Sequence, residues 1–258
     1  MTRLASPRAV LITGATGGIG GALAAAYAES GMTLILQGRN AERLAELKAL
    51  VETRGARVLT QVLDVRNRDQ LSAWLMGICR EEQVDLVIVG AGVNINIGRK
   101  GEGESWEEVQ ALVEVNLLAA MATVDAVLPS MRSRGAGQIA LISSLAAYFG
   151  LPVTPSYCAS KAAVKAYGEA LRGWLAPEGI RINVVMPGYV ESRMCRDMPG
   201  PKPFLWPADK AARAIKRGLG RNQPRISFPF PLNFGCWWLA VLPPRISQRI
   251  LRLIGYCG

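Results

Sequence analysis

The sequence predicts an α/β protein in which a doubly wound parallel sheet carries helices on both faces. Two observations support this prediction. Short apolar runs typical of buried strands alternate along the chain with longer runs typical of helices. A glycine-rich segment follows the first apolar run and leads directly into a helical run. An α/β chain of 258 residues is expected to form a single domain, and because half of its residues are hydrophobic we expect a large core.

The predicted elements follow one another in a regular order. The strands are expected at residues 9–13, 33–37, 58–63, 84–89, 138–144 and 180–188. The helices are expected at residues 22–30, 41–54, 70–82 and 106–131, with another beginning near residue 157. In such a sheet the carboxyl ends of the strands lie at one edge, where ligands bind.

The segment after the first strand has the composition of a phosphate-binding turn. It reads Gly14-Ala-Thr-Gly-Gly-Ile-Gly20. Glycines between a strand and a helix let the backbone approach a pyrophosphate, which the positive end of the helix stabilises. The residues predicted to contact the cofactor here are Gly14, Thr16, Gly17, Gly18, Ile19 and Gly20. A plain tight turn is the alternative, but the strand–turn–helix context favours nucleotide binding.

The end of the second strand indicates which dinucleotide is bound. A site that prefers NAD usually has an acidic residue here, which holds the ribose 2′-hydroxyl. This chain has Gly38 at the acid position and Arg39 after it. A guanidinium suits a 2′-phosphate, and Arg43 can add a second cation one turn later. The alternative is that Arg39 caps or solvates the helix beginning at residue 41, but we favour NADP(H) over NAD(H).

Three further strand ends are expected to border the dinucleotide. Asp64, next to Val65, follows the third strand in a position suited to adenine contact. The segment Gly90-Ala91-Gly92 follows the fourth strand and would let the dinucleotide pass close to the backbone. The loop at residues 189–192, after the sixth strand, would border the nicotinamide.

Tyr157 and Lys161 are the candidates for acid/base chemistry. At the start of a helix, residues four apart project from one face. A neighbouring ammonium stabilises a phenolate and tunes the phenol toward proton transfer. The chain contains no histidine, which is the usual acid/base residue. An ordinary surface pair is the alternative, and the other motifs argue against it.

Two polar residues complete the candidate catalytic set. Ser144 ends the strand at 138–144, and its hydroxyl can converge with the Tyr157 phenol on one substrate oxygen. A nucleophilic serine is disfavoured, because no histidine is present to deprotonate it. Asn116 lies within an apolar helical run, where an unpaired amide is unfavourable. It can brace the backbone across a kink, hold a water that relays protons to the lysine, or do both.

Basic charge is concentrated in the last quarter of the chain. Residues 1–192 carry equal numbers of basic and acidic side chains, so the net charge of +10 comes from residues 193–258. From Pro244 onward, apolar residues share one helical face and arginines form a parallel stripe, as in a helix that lies on an anionic membrane. A helix packed on its own domain or on a sister subunit is the alternative. Nucleic acid is disfavoured, because no recognition motif accompanies the charge.

Several other classes of protein are disfavoured by the sequence. No N-terminal segment has the pattern of a signal peptide. The longest apolar stretch, residues 228–242, is broken by Pro229 and Pro231 and is shorter than the roughly 20 residues that span a bilayer. Five scattered cysteines lack metal-ligand spacing, so no metal site is expected and a reducing cytosol is favoured.

Together these residues resemble the short-chain dehydrogenase/reductase family over residues 8 to about 195. The motifs that carry the resemblance are Thr13-Gly14-x-x-x-Gly18-Ile19-Gly20, Asp64-Val65, Asn116, Ser144, Tyr157-x-x-x-Lys161 and Pro187-Gly188. The resemblance implies a Rossmann-type fold and hydride transfer between a nicotinamide and a carbonyl or secondary alcohol. The family's usual Asn-Asn-Ala-Gly is replaced by Val89-Gly90-Ala91-Gly92, which affects local detail of the cofactor cleft.

The resemblance also implies individual roles. Tyr157 would be the general acid in reduction or the base in oxidation, and Lys161 would lower its pKa and bind the nicotinamide ribose. Ser144 would hold the substrate oxygen, and Asn116 would support a proton-relay water. Further cofactor contacts are implied for Pro187, Gly188, Val190 and Ser192. A substrate lid is implied for residues 194–225, chiefly 194–206, ahead of a basic apolar tail at 226–258.

Two functions remain open from the sequence. The first is an NADPH-dependent carbonyl reductase with an amphiphilic or lipid-linked substrate; family members acting on sugar or cell-envelope precursors are similar in their tails. The second is a non-catalytic dinucleotide-binding protein for membrane recruitment or regulation. Degraded catalytic positions would favour the second, and none is found. We expect a cytoplasmic homo-oligomer, dimer or tetramer, that can be peripheral on the inner membrane face.

Overall fold

The computed structural model describes residues 7–98, 101–198 and 200–256 of the chain. Seven strands form one parallel sheet in the order β3-β2-β1-β4-β5-β6-β7. They are β1 (Ala9–Thr13), β2 (Thr33–Gly38), β3 (Arg57–Val62), β4 (Leu86–Val89), β5 (Gly137–Ile142), β6 (Ile180–Pro187) and β7 (Arg225–Phe228). Helices cover both faces, so the predicted single-domain α/β fold is confirmed. The strand order reverses between β1 and β4, where a ligand cleft is expected.

Ten α-helices connect and cover the strands within the described residues. They are α1 (Gly18–Tyr27), α2 (Ala41–Glu52), α3 (Arg68–Glu81), α4 (Trp106–Val113), α5 (Ala119–Arg134), α6 (Pro155–Leu175), α7 (Arg193–Asp197), α8 (Ala208–Gly220), α9 (Leu232–Val241) and α10 (Pro244–Leu253). Asn40 and Asn67 cap α2 and α3, because their side chains accept hydrogen bonds from backbone N–H groups of the first turn. α1 begins at Gly18, four residues before its predicted start, because the glycine turn supplies its first turn.

The core has two layers, one on each face of the sheet. Along β1, Leu11 points into the layer formed by α3, α5 and α6, while Val10 and Ile12 point into the layer formed by α1, α2 and α8. All five residues of β1 and all four of β4 are buried. Strands buried on both faces have continuous apolar sequences, which explains why their runs are not alternating.

The helix predicted at 106–131 contains a break. A π-helical turn, Glu114–Leu118, separates α4 from α5, and such turns often occur at functional sites. The helical run Trp106–Arg134 contains an 18-residue window with a mean hydropathy of 1.8, which is long and apolar enough to cross a bilayer by length and composition. However, 56% of that apolar window is buried inside the domain, as in a core helix.

The region predicted as a lid contains two different structures. Its first part holds α7 and a loop that ends at Trp206, whose N–H donates to the Tyr189 carbonyl at 3.0 Å. Its second part is mainly α8, whose buried face packs on α1 in the core. We therefore expect a mobile lid at residues 194–206 and not at α8.

The tail at residues 226–258 includes most of β7 and the helices α9 and α10, and Cys257 lies outside the described residues. The other four cysteines are free thiols. Within the described part of the chain, no group of three His, Cys, Asp or Glu side chains is arranged to hold a metal ion.

Candidate active site

A cavity of about 1150 Å³ lies at the carboxyl ends of the strands, the usual ligand position in this architecture. It is lined by most of the residues that the sequence assigns to the cofactor or to catalysis. These are Gly14, Thr16, Gly17, Gly18, Ile19, Gly20, Arg39, Val65, Ala91, Gly92, Ser144, Tyr157, Lys161, Pro187, Gly188, Val190 and Ser192. Asp64 and Asn116 are not among the lining residues.

The glycine-rich turn forms a cradle in which side chains would not fit. Gly14 has a φ of +68°, and a Cβ there would lie 2.7 Å from the Ala91 Cα. A Cβ on Gly18 would lie 2.8 Å from the Glu191 carbonyl oxygen and from the Ser192 Cβ. The turns after β1, β4 and β6 therefore meet at the N-terminus of α1. No side chain among the described residues caps that terminus, so its N–H groups are available to a phosphate.

Two buried polar side chains support this cradle. The Thr13 hydroxyl accepts a hydrogen bond from the Gly90 N–H at 3.1 Å and so joins the turns after β1 and β4. The Gln37 side chain accepts from the Gly14 N–H at 3.0 Å and donates to the Leu63 carbonyl at 2.7 Å. Gln37 belongs to no recognisable motif, because a glutamine at a strand end is not diagnostic of any function. Its only sequence signal is a polar residue inside an apolar run.

Two arginines flank the cavity at the end of β2. Arg39 and Arg43 line it and are exposed, and neither guanidinium has an ion-pair partner among the described residues. The cap of α2 is Asn40, whose Oδ1 accepts from the Arg43 N–H at 2.8 Å, so Arg39 is not needed for capping. Asp64 is paired with Arg66 at 2.8 Å, and this hydrogen bond lowers the pKa of the Asp64 carboxyl.

The candidate catalytic side chains come from β5 and α6. Pro155 opens α6, so Tyr157 lies in its first turn and lines the cavity together with Ser144, which follows β5. Lys161 Nζ lies 5.7 Å from the centroid of the Tyr157 ring and donates to the Ile142 carbonyl at 3.0 Å. The structure therefore brings Ser144, Tyr157 and Lys161 together at one wall of the cavity.

Burial dominates the electrostatics of this group. It raises the pKa of Tyr157 to about 12, against the opposing effect of the hydrogen bond with Ser144. It also lowers the pKa of Lys161 to about 8, because a buried ammonium loses its hydration. The resemblance implies that Lys161 lowers the Tyr157 pKa. In the protein alone the Tyr157 pKa is raised instead, because the loss of hydration outweighs any favourable charge.

Asn116 supports the site from behind the cavity wall. It lies in the π-helical turn and is 2% exposed. Its side chain accepts from the Val93 N–H at 2.8 Å and donates to the Val93 carbonyl and to the Ser160 hydroxyl, both at 3.0 Å. A Cβ on Gly92 would lie 3.3 Å from both the Asn116 Oδ1 and the Lys161 Nζ. Asn116 therefore braces the turn after β4 beside Lys161, while its expected water-relay function stays a prediction.

The far end of the cavity is apolar and is built by the tail. The tail side chains that line it are Leu232, Cys236, Trp238, Leu239, Leu242, Ile250, Leu251, Ile254 and Tyr256. Tyr256 is 5% exposed, and its hydroxyl lies 2.6 Å from the Tyr189 hydroxyl and donates to the Pro201 carbonyl at 2.7 Å. The sequence leaves the tail either on a membrane surface or packed on its own domain or a sister subunit. It does not predict this cavity lining, because the contacts join residues far apart in the chain.

Comparison with known proteins identifies the family to which this fold and site belong. The family model for short chain dehydrogenase matches residues 8–201. The chain belongs to the short-chain dehydrogenase family. The family resemblance predicted from the sequence is thereby confirmed, and this short-chain dehydrogenase is an oxidoreductase.

Individual relatives agree with this assignment. An uncharacterized oxidoreductase of Mycobacterium tuberculosis is 34% identical over 93% of this chain and 96% of its own length. The ketoacyl reductase HetN of a Nostoc species is 37% identical over 71% of this chain and 63% of its own length. A short-chain dehydrogenase from Sphingobium yanoikuyae, solved in complex with NADPH, has a TM-score of 0.80 at 25% identity, with 95% of both chains covered.

Proposed function

We propose that this short-chain dehydrogenase is an NADP(H)-dependent reductase of a carbonyl on an amphiphilic substrate. The observation that carries the proposal is the position of the Ser144–Tyr157 hydroxyl pair. Both side chains line the same cavity as the glycine cradle at one end and the apolar tail residues at the other. A dinucleotide and an apolar ligand can therefore meet at the two hydroxyls.

NADP(H) is favoured by the charges around the cradle. Arg39 and Arg43 offer two guanidinium groups without ion-pair partners among the described residues, next to the cavity. A guanidinium pairs well with a 2′-phosphate, whereas the ribose 2′-hydroxyl of NAD is better held by a carboxylate. The NADPH bound by the Sphingobium relative supports the same choice. The cofactor contacts in the cradle, and Asp64 beside Arg66, remain proposals.

The side chains suit reduction at neutral pH. Ser144 and Tyr157 can donate hydrogen bonds to one carbonyl oxygen, which polarises the carbonyl. When bound, NADPH would supply a hydride for the carbonyl carbon. Tyr157 then gives its proton to the oxygen, and its raised pKa keeps the phenol protonated beforehand. Lys161, with a pKa of about 8, is mostly a cation at pH 7 and stabilises the negative charge that develops.

An amphiphilic substrate is favoured by the shape of the cavity. Its far end is lined by leucine, isoleucine and tryptophan side chains of the tail, which suit a hydrocarbon chain. The Nostoc relative is named a ketoacyl reductase, and a ketone on an acyl chain has this chemistry. A lipid-linked sugar or cell-envelope precursor is a second substrate of the same class. The non-catalytic alternative is not favoured, because Ser144, Tyr157 and Lys161 are all present and adjacent.

The family resemblance and the charge of the tail also lead to expectations for localisation, oligomeric state and membrane contact. We expect a cytoplasmic protein that assembles as a homodimer or homotetramer, as its family resemblance implies. The exposed arginines of α10 favour contact of the tail with the anionic inner face of a membrane.

A titration with NADPH and NADH, read by nicotinamide fluorescence, tests the cofactor proposal. Turnover of a soluble methyl ketone and of a β-ketoacyl thioester, read by NADPH absorbance, then tests the reaction. We expect tight NADPH binding, weak NADH binding and faster turnover of the ketoacyl substrate. Binding of NADPH without turnover of any carbonyl would favour the recruitment function instead.

A further inference from the structure

The helix α9 is an uncharged helix that the described residues leave largely uncovered. None of its ten residues is charged and none is buried. Phe234 is 52% exposed, and Trp237 and Trp238 are each 41% exposed. Their rings form a cluster with centroid separations of 5.4 to 6.0 Å. A contiguous apolar patch of this kind is rare on a soluble protein and marks a contact surface.

The neighbouring helix α10 adds positive charge to this surface. Ser247 and Leu251 face inward, and the Ser247 hydroxyl anchors α10 to the Leu239 carbonyl of α9 at 2.8 Å. Arg245, Arg249 and Arg252 follow i, i+4, i+7 spacing on the opposite side and are exposed.

Exposed apolar side chains lie between the inward and the basic faces of α10. Ile246 is 48% and Leu253 is 79% exposed. We call the exposed side chains of both helices the C-terminal surface, consisting of Phe234, Trp237, Trp238, Val241, Ile246, Leu253, Ile254, Arg245, Arg249 and Arg252.

Charge complementarity favours an anionic bilayer over a second copy of the chain as the partner of the C-terminal surface. Residues 210–258 contain no aspartate or glutamate, so a second copy docked here by a two-fold axis would place like charges together. An anionic bilayer offers phosphates to the arginines and acyl chains to the tryptophan and leucine side chains. Tryptophan also favours the membrane–water interface, because its ring is apolar and its N–H is polar.

The C-terminal surface is continuous with the cavity. Trp238 and Ile254 line the cavity and are also exposed, at 41% and 52%. Trp238 packs against Trp237 and Phe234, which are exposed and do not line the cavity. An apolar path therefore leads from the outer surface, between α9 and α10, toward the catalytic wall that carries Tyr157.

We propose that the C-terminal surface docks on an anionic lipid bilayer and that the hydrocarbon chain of the substrate enters the cavity from the bilayer past Trp238 and Ile254. This inference rests on the proposed reductase function for its substrate, but not for its docking step. A chain that remains partly in the bilayer needs no transfer through water. The carbonyl then reaches the Ser144–Tyr157 pair while the tail of the substrate stays in an apolar environment.

Flotation of the full chain with liposomes tests docking without any need for activity. Liposomes of phosphatidylcholine with 30% phosphatidylglycerol should carry the protein, and pure phosphatidylcholine should carry at least tenfold less. The double variant Arg249→Glu/Arg252→Glu should lose flotation by at least tenfold. The control Arg217→Glu/Arg221→Glu changes the net charge equally, on exposed positions of and next to α8, and should float like the wild type.

Three outcomes of the flotation experiment would overturn docking. The first is equal flotation with both lipid mixtures, and the second is equal loss in both double variants, which would indicate unspecific charge attraction. The third is a dimer in solution that Arg249→Glu/Arg252→Glu dissociates, without flotation of the wild type, because a second copy would then cover the C-terminal surface.

Chain-length selectivity tests the entry path. We would compare turnover of a β-ketoacyl substrate with a long chain, presented in anionic vesicles, with turnover of its short soluble analogue. Ile254→Asp places a charge on the rim of the cavity and should lower the ratio of long-chain to short-chain turnover at least tenfold. Leu253→Asp places the same charge on the adjacent residue, which belongs to the C-terminal surface but not to the cavity lining. It therefore controls for any loss of docking caused by the charge and should lower the ratio far less.

The two possible failures can be told apart. If both aspartate variants change the ratio equally, or if neither does, the entry path is wrong even where flotation succeeds. If the wild type floats as expected but reduces no ketone with NADPH, docking stands and the proposed reductase function fails.

Discussion

Replacing Lys161 by methionine tests the effect of a cation buried in the catalytic wall. Lys161 is 4% exposed, and burial lowers its pKa from the ordinary value of 10.5 to about 8. The folded protein therefore holds this proton less tightly than the unfolded chain does. The buried charge destabilises the fold at pH values below 8, and the penalty shrinks as the pH rises from 8 to 10.5.

The magnitude follows from the two pKa values. Their difference corresponds to a penalty of about 3 kcal/mol well below pH 8. Between pH 7 and pH 9, the wild type should gain about 1.3 kcal/mol in its free energy of unfolding from this residue. The Lys161→Met variant should lack this pH-dependent gain in the free energy of unfolding. It also leaves the Ile142 carbonyl without its donor, at a cost of about 1–3 kcal/mol, so the net change at pH 7 should be small.

Urea unfolding at pH 7 and pH 9, followed by tryptophan fluorescence, measures this difference. Tyrosine ionisation affects wild type and variant alike, so the comparison isolates Lys161. The matched control is Lys165→Met, since Lys165 lies one turn later and pairs with Glu169 at 3.1 Å. That variant should keep the pH-dependent gain. Parallel pH dependence in the wild type and in Lys161→Met would refute the assignment of a strained buried cation.

Four further predictions concern the cofactor and the proton. Tyr157→Phe should lower turnover by about 10²- to 10⁴-fold while NADPH fluorescence titrations stay unchanged; retained turnover would mean another proton donor. In the wild type, ionisation of Tyr157 should not lower the initial rate of reduction between pH 6 and pH 9, because the pKa of Tyr157 is about 12. A fall in rate over this range that disappears in Tyr157→Phe would contradict this pKa. Arg39→Asp should weaken NADPH binding by about 10- to 100-fold and spare NADH, with Arg54→Asp as a surface control; equal weakening of both nucleotides would contradict a 2′-phosphate contact. Gly18→Ala should weaken both nucleotides, because its Cβ would lie 2.8 Å from the Glu191 carbonyl oxygen; unchanged Kd values would show that the turn relaxes.

Features that depend on neighbouring residues could be predicted from the sequence. The turn after β1 and the spacing of Tyr157 and Lys161 are set by a few consecutive residues, and the structure places them at one cavity. The six predicted strands are all present, with ends shifted by up to two residues. Gly18 as the first residue of α1 was missed, because a glycine weakens a helical pattern.

Features that depend on distant residues could not be predicted. Gln37 supports the glycine turn only because β2 lies next to β1, which no local pattern reports. The direction of the Tyr157 pKa shift depends on burial of the whole wall and not on the spacing to Lys161. The lining supplied by Leu239 and Leu251 requires α9 and α10 to fold back over the cavity. An amphipathic pattern alone does not identify the surface that such a helix covers.

The hydrogen bonds of Tyr256 have a consequence for biosynthesis. Its hydroxyl contacts Tyr189 and Pro201, and the bond to Pro201 spans 55 residues of chain. At a ribosomal speed of about 5–20 residues per second, Tyr256 is made roughly 3 to 11 seconds after Pro201. The glycine cradle precedes both. The far end of the substrate cavity is therefore completed several seconds after the glycine cradle has been synthesised, and only after α8 and β7 have been made.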